Sequence, residues 1–222
     1  TEAFIWVGSV GGTSAGEVTY RAVGETASSQ ADLIFDTPAD RYYNAGVAYL
    51  SGLTPNQKYL YDVRLNNRNF GSGSFRTSPQ SVPGTFTVAV ASCMDLNFDR
   101  TQNAWDSLLK KAPDLLILGG DNAYPNTTLS CMIWAEHLQQ RGVEKFAKVI
   151  REVPTFATWD DHDFGPNNPA GGDYELHTRE ESQRAFAELF KGLPFAATQG
   201  IYYKFQWRDV DFFMLDNRYF RS

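Results

Sequence analysis

The chain has 222 residues, 42% of them hydrophobic and 21% charged, with a formal net charge of −6. That balance is globular rather than disordered. No apolar run reaches the roughly 18–20 residues that a membrane helix needs, and no cluster of Lys and Arg offers a surface for nucleic acid. Two cysteines, Cys93 and Cys131, exclude a disulfide scaffold and a four-cysteine zinc site. No basic segment followed by an apolar run opens the chain, so an export signal is expected to have been removed or never present.

Residues 1–79 read as short strands with turns between them. Val18, Tyr20 and Ala22 alternate on one face of residues 17–23, and Tyr59, Tyr61, Val63 and Leu65 alternate against Lys58, Leu60, Asp62 and Arg64. Further apolar runs lie at residues 4–7, 33–35 and 47–50, punctuated by Gly11-Gly12, Thr37-Pro38, Pro55-Asn56 and Asn66-Asn67. Regular short strands with such turns predict an all-β sandwich. Leu53, Pro55 and Tyr59 have the spacing of a tyrosine corner, in which a buried Tyr hydroxyl bonds nearby backbone. The stretch from Ser51 to Tyr59 resembles fibronectin type III and related domains, and its role is structural.

Residues 80–84 read as a linker, and beyond it the period changes. Strands are predicted over 85–91, 114–118 and 154–159, and helices over 102–111, about 135–152 and 180–191. Two final strands, 201–207 and 210–215, are joined by a tight Arg208-Asp209 turn. The last strand is apolar enough to need cover on both faces. Strands alternating with helices make residues 85–222 an α/β domain with mainly parallel strands.

In open α/β folds ligands sit beyond the carboxyl ends of the strands. Here those ends carry Ser92-Cys93-Met94-Asp95, then Gly119-Gly120-Asp121-Asn122-Ala123-Tyr124, then Asp160-Asp161-His162-Asp163 with Asn167-Asn168, then Asp216-Asn217-Arg218. Clustered carboxylates repel, so they raise their pKa values or bind a cation. A carboxylate bridging two ions, with thiolate, phenolate and imidazole nearby, can serve phosphate chemistry. Gly119 and Gly120 are expected to let backbone approach closely.

Gly120-Asp121 with Tyr124 three residues on resembles the metal motif of purple acid phosphatases. Together with Ser92-Cys93, Trp159-Asp160-Asp161-His162-Asp163 and Leu215-Asp216-Asn217-Arg218-Tyr219, it resembles the PhoD-like alkaline phosphatase D family of calcineurin-like metallophosphoesterases more closely. The resemblance implies a fibronectin- or Ig-like sandwich followed by a four-layer α/β/β/α catalytic domain. It also implies hydrolysis of phosphate esters by a metal-activated hydroxide in a dinuclear or trinuclear site. Carried over residue by residue, it makes Cys93, Asp121, Tyr124, Asp161 and Asn167 metal ligands, with Asp121 bridging. His162 becomes the proton donor or a phosphate contact, and Arg218 a phosphate-holding or supporting group. Asp160 is a further ligand or supporting group. The ions implied are Fe(3+) and Ca(2+), with Zn(2+) or Mn(2+) as alternatives. The expected protein is a secreted or periplasmic monomer acting on a phosphate ester.

Relatives carry further ligands in a late segment of the Gly-Asp-x-His kind. This sequence has three histidines, His137, His162 and His177, and no such segment. The expectation is therefore an N-terminal portion of the catalytic domain, with more ligands supplied beyond Ser222. The competing reading is a non-catalytic binding protein built on a metallophosphoesterase-like remnant. His137 and His177, on a helix and a polar loop, read as solvated. Arg218 reads equally well as an ion-pair partner of Asp216. The residues from Gly12 to Gly16 match a nucleophile elbow but join two strands, where that motif does not operate. Asn126-Thr127-Thr128 fits a glycosylation acceptor by pattern alone.

Overall fold

Residues 58–65 place Tyr59, Tyr61, Val63 and Leu65 on one buried face, as strict alternation requires. This strand, β6 (Lys58–Leu65), lies inside a four-stranded antiparallel sheet. Its neighbours there are β2 (Gly16–Ala22), β3 (Ser29–Asp32) and β7 (Arg68–Arg76), in the order β3-β2-β6-β7. A second antiparallel sheet joins β1 (Ala3–Val10), β5 (Tyr43–Leu50) and the short β4 (Ile34–Phe35) in the order β1-β5-β4. Val7, Ala48 and Leu50 from the second sheet share one core with Val18, Tyr61, Val63 and Phe75 from the first. Asn66 and Asn67, at φ 47° and 61°, make the left-handed turn between β6 and β7. The β7 strand follows the Asn66-Asn67 turn within the stretch read as strands, and with no clear alternation of its own it is defined by its pairing with β6. Tyr59 is buried, and its hydroxyl accepts a hydrogen bond from the Thr54 amide at 2.9 Å, which is the expected corner.

The computed structural model describes residues 1–11, 15–35, 42–80, 83–196 and 199–222. Gly12, Thr13 and Ser14 of the elbow-like motif, the Thr37-Pro38 turn, and Ser81-Val82 of the predicted linker lie outside the described residues.

Three parallel strands follow, β8 (Val88–Ala91), β9 (Leu115–Leu118) and β10 (Thr155–Ala157), in the order β10-β9-β8. Helices α1 (Ala104–Lys110), α3 (Glu144–Glu152) and α5 (Leu176–Leu189) deliver Trp105, Phe146, Val149 and Phe186 to the core under this sheet. The single helix predicted near 135–152 is two helices, α2 (Ser130–Arg141) and α3, because Gly142 ends the first and Val143 is extended. A short α4 (Asp161–Phe164) opens directly after β10. His177 lies within α5 and is solvent-exposed. Among the described residues, no helix is long and apolar enough to cross a membrane.

The final pair, β11 (Tyr203–Trp207) and β12 (Val210–Met214), forms its own antiparallel hairpin and does not extend the parallel order. The strand expected to be covered on both faces turns only Phe212 and Met214 towards the core. Phe213 and Leu215 are 66% and 73% exposed. Tyr203 ties the hairpin to β10, its hydroxyl bonding both the amide and the carbonyl of Ala157.

The β-rich and α/β portions are joined by an aromatic seam. Trp6 and Tyr43 both stack on Trp134 of α2. The Arg141 guanidinium lies 4.6 Å from the Trp6 ring and 4.7 Å from the Phe190 ring, and Trp6 Nε1 donates to the Glu188 carbonyl. Burial lowers Arg141 to about 10.

Candidate metal centre

The ends of β8, β9 and β10 lie side by side, so the residues following each strand meet. Cys93 and Asp121 both take left-handed backbone conformations, at φ 60° and 50°. Asp tolerates this region better than most residues, but Cys does not adopt it freely, and such strain gathers at functional sites. The turns are locked together: the Cys93 amide donates to the Gly120 carbonyl and the Met94 amide to the Asp121 carbonyl. Gly120, at φ 114°, has no room for a side chain, since a Cβ would sit 2.5 Å from Asp160 Cβ. Gly119 is different, because a Cβ there would make only ordinary contacts. The close approach expected of both glycines belongs to Gly120 alone.

Asp121 is the centre of the cluster. Its Oδ2 lies 3.7 Å from Cys93 Sγ and accepts from the Tyr124 hydroxyl at 3.2 Å. Its Oδ1 accepts from the His162 amide at 3.3 Å. One potential ligand atom from each of Asp121, Asp161 and His162 falls within a common 4.8 Å span. Burial, then the carboxylates of Asp163 and Asp161, pushes Asp121 above the usual Asp range. Burial, Asp121 and Cys93 likewise push the Tyr124 phenol upward. Acidic groups that hold one another's protons on are short of positive charge, so this donor set fits a cation. Thiol, phenol, carboxylate and imidazole together are ligand types for a transition ion, and the carboxylates also suit a hard ion.

Arg218 crosses from the segment after β12 and is mostly consumed within the protein. Its Nε and Nη2 both reach Asp160 Oδ1 at 2.5 Å, Nη2 lies 3.4 Å from Asp161 Oδ1, and Nη1 donates to the Pro169 carbonyl. The equal alternative of an ion pair with Asp216 is not what forms. Asp216 instead accepts from the Arg218 and Tyr219 amides, the Ile201 amide and Trp159 Nε1, so it shapes the turn that carries Arg218. Asn167 is exposed, and the contact with Asp161 is made by its neighbour: the Asn168 amide donates to Asp161 Oδ2 at 2.6 Å.

A buried support escaped the sequence reading. Asp163 is 0% exposed and His137 only 2%, which corrects the solvated reading of His137. Asp163 accepts from the Asn122 amide, Asn122 Nδ2 and the Asp160 amide, which bridges the loops after β9 and β10. His137 Nε2 approaches Asp163 Oδ1 at 3.3 Å from α2. Burial lowers the His137 pKa, although Asp163 pulls it upward. The signal was present in the helical spacing, since Ile133, Trp134, His137 and Gln140 form one buried stripe. The two cysteines are both free and exposed.

No family model and no curated protein matches the sequence. Among solved structures, the chain is similar to PhoD, with a TM-score of 0.68 and 19% identity, covering 95% of this chain and 47% of that one. It is also similar to purple acid phosphatase PPD1 isolated from yellow lupin (Lupinus luteus) seeds, with a TM-score of 0.64 and 15% identity, covering 92% and 41%. The chain thus spans about half the length of the structures it matches. At these identities the likeness is one of fold. It leads to the same proteins as the motifs: the chain has the fold shared by PhoD and purple acid phosphatase.

Proposed function

We propose that this chain carries part of the active site of a metal-dependent phosphoric ester hydrolase of the PhoD-like type. The observation that supports it most is the convergence of Cys93, Asp121, Tyr124, Asp161 and His162 at three neighbouring strand ends, in a fold shared with two phosphatases. Cys93, Asp121 and Tyr124 would hold one ion. Asp121, Asp161 and Asn167 would hold a second, with Fe(3+) and Ca(2+) the proposed pair and Zn(2+) or Mn(2+) the alternatives. Bound ions would supply activation of the nucleophile and neutralise charge on the phosphoryl oxygens.

The chain's own residues set the rest. His162 presents its ring beside this cluster, where it can give a proton to the leaving oxygen. Arg218 neutralises Asp160 and Asp161, so it orients the loop after β10 and leaves the centre less negative for an approaching phosphate. Asp163 and Asn122 hold the two loops in register from below. The N-terminal portion is proposed as a fibronectin- or Ig-like sandwich, a reading supported by its two antiparallel sheets on one core. The four-layer arrangement, a secreted or periplasmic location and a monomeric state complete the proposal.

The test is hydrolysis of chromogenic phosphate mono- and diesters by the intact protein, with metal analysis on the same sample. Turnover that is abolished by chelation, restored by metal and lost in Asp121→Ala supports the reading. Stoichiometric absence of metal affinity together with no hydrolysis overturns it in favour of a binding protein.

A further inference from the structure

Asn126 stands in the loop after β9, with a left-handed backbone at φ 52°. Both ends of its side-chain amide are engaged. Nδ2 donates to the Tyr124 carbonyl at 3.0 Å, and Oδ1 lies 2.5 Å from His162 Nδ1. The first bond fixes which end is which, because a carbonyl accepts only from the nitrogen of an amide. The oxygen therefore faces His162, and an amide oxygen can only accept. The His162 ring is held from a second side by Tyr124, with ring centroids 4.3 Å apart at 33°. Rotating the ring by half a turn would press a carbon against Oδ1. His162 Nε2 lies 3.8 Å from Asp161 Oδ2, beyond hydrogen-bond range, on the side of the Asp121–Asp161 cluster.

We propose that Asn126 is a positioning residue that holds neutral His162 in the Nδ1–H tautomer and thereby makes Nε2 the working atom of that histidine. The hydrogen bond made by one ring nitrogen decides what the other can do. With Nδ1 committed as a donor, the neutral ring offers the Nε2 lone pair to a cation or a proton, and the protonated ring offers an Nε2 proton to a leaving oxygen. The glycosylation-like Asn126-Thr127-Thr128 sequence then has an internal use for its amide. The assignment deepens the proposed function and rests on it for its purpose, but its measurement needs no turnover.

The experiment is long-range proton–nitrogen correlation of the imidazole rings in the intact, chelated protein at about pH 8, above the ordinary His range near 6.5. With three histidines in the chain, His162→Gln assigns the signal. The expected result is an Nδ1–H pattern for His162 in the wild type. Asn126→Gly keeps the backbone conformation and removes the acceptor, and should move most of the population to Nε2–H. Asn126→Asp keeps the acceptor and should keep the Nδ1–H form. A wild-type Nε2–H pattern, or an unchanged tautomer in Asn126→Gly, overturns the assignment. The observed tautomer shift in a protein that hydrolyses no phosphate ester would preserve the role of Asn126 and remove the functional reading instead.

Discussion

His137 Nε2 stands 3.3 Å from Asp163 Oδ1, with both side chains sealed from solvent. The contact is close enough for electrostatic attraction but does not count as a hydrogen bond, and among the described residues that nitrogen has no hydrogen-bond partner. Asp163 does not depend on it alone, since three N–H donors from Asn122 and Asp160 already solvate the carboxylate. The histidine closes the remaining side of a carboxylate that holds the two site loops together.

His137→Ala should therefore cost about 2–4 kcal/mol, from the void and the exposed carboxylate edge. The pH dependence carries a sign. Burial holds the folded His137 below its ordinary value of 6.5. As pH falls through that value the unfolded chain takes up a proton and the folded chain does not. Its contribution is full above the unfolded value and drains away towards the folded one. Denaturant titrations should show a loss of wild-type stability below about pH 6.5 that is smaller in His137→Gln. Equal slopes in the two proteins would rule out His137 as the source.

Asp121 is pushed upward by burial and by its acidic neighbours, so without a cation its charge costs stability that increases as pH rises above the ordinary Asp value. In chelated protein, Asp121→Asn should melt a few degrees above the wild type near neutral pH. Adding metal should raise the wild-type melting temperature and leave the variant's unchanged. A variant that is stabilised by metal as strongly as the wild type would show that Asp121 is not a ligand.

The Tyr124 phenol keeps its proton more firmly than a free tyrosine, so only a strongly acidic cation would draw it into phenolate form. Iron(III)-loaded protein should show a visible charge-transfer band, and Tyr124→Phe should lose it while keeping the fold. Colourless ferric protein would separate Tyr124 from the iron.

Substitution of His162 tests proton transfer apart from metal retention. His162→Ala should keep its metal content and lose about 10²–10⁴ in rate, with the smaller losses on esters whose leaving group needs no proton. Metal loss in this variant would make His162 a ligand.

Arg141 tests the seam between the two portions of the chain. Its burial depresses it to about 10, so at neutral pH it remains charged at a cost. Arg141→Ala removes its stacking on Trp6 and Phe190 and should destabilise by about 1–3 kcal/mol. Arg141→Met keeps much of that packing but, like Ala, leaves the Leu189 carbonyl without its guanidinium donor, and should fall between the Ala variant and the wild type. Chemical denaturation ranks the three proteins, and a Met variant weaker than the Ala variant would refute this account.

The sequence alone determined the parts governed by short-range rules. Alternation at Tyr59, Tyr61, Val63 and Leu65 revealed a half-buried strand because side chains of a strand point to opposite faces with a period of two. Cys93, Asp121 and Asp161 were legible as a group because α/β topology sends successive strand ends to one edge. Only the tertiary structure decided which polar groups are spent on one another. It turned Arg218 to Asp160 and Asp161, gave Asp163 to Asn122 and His137, and set Asn126 on His162. It also made β12 half of an exposed hairpin and divided α2 from α3. Local propensity reports backbone preference and apolar period. It does not report which buried donor lies beside which acceptor, because that choice is made by packing between segments far apart in the chain, where each desolvated polar group must find a partner or lose stability.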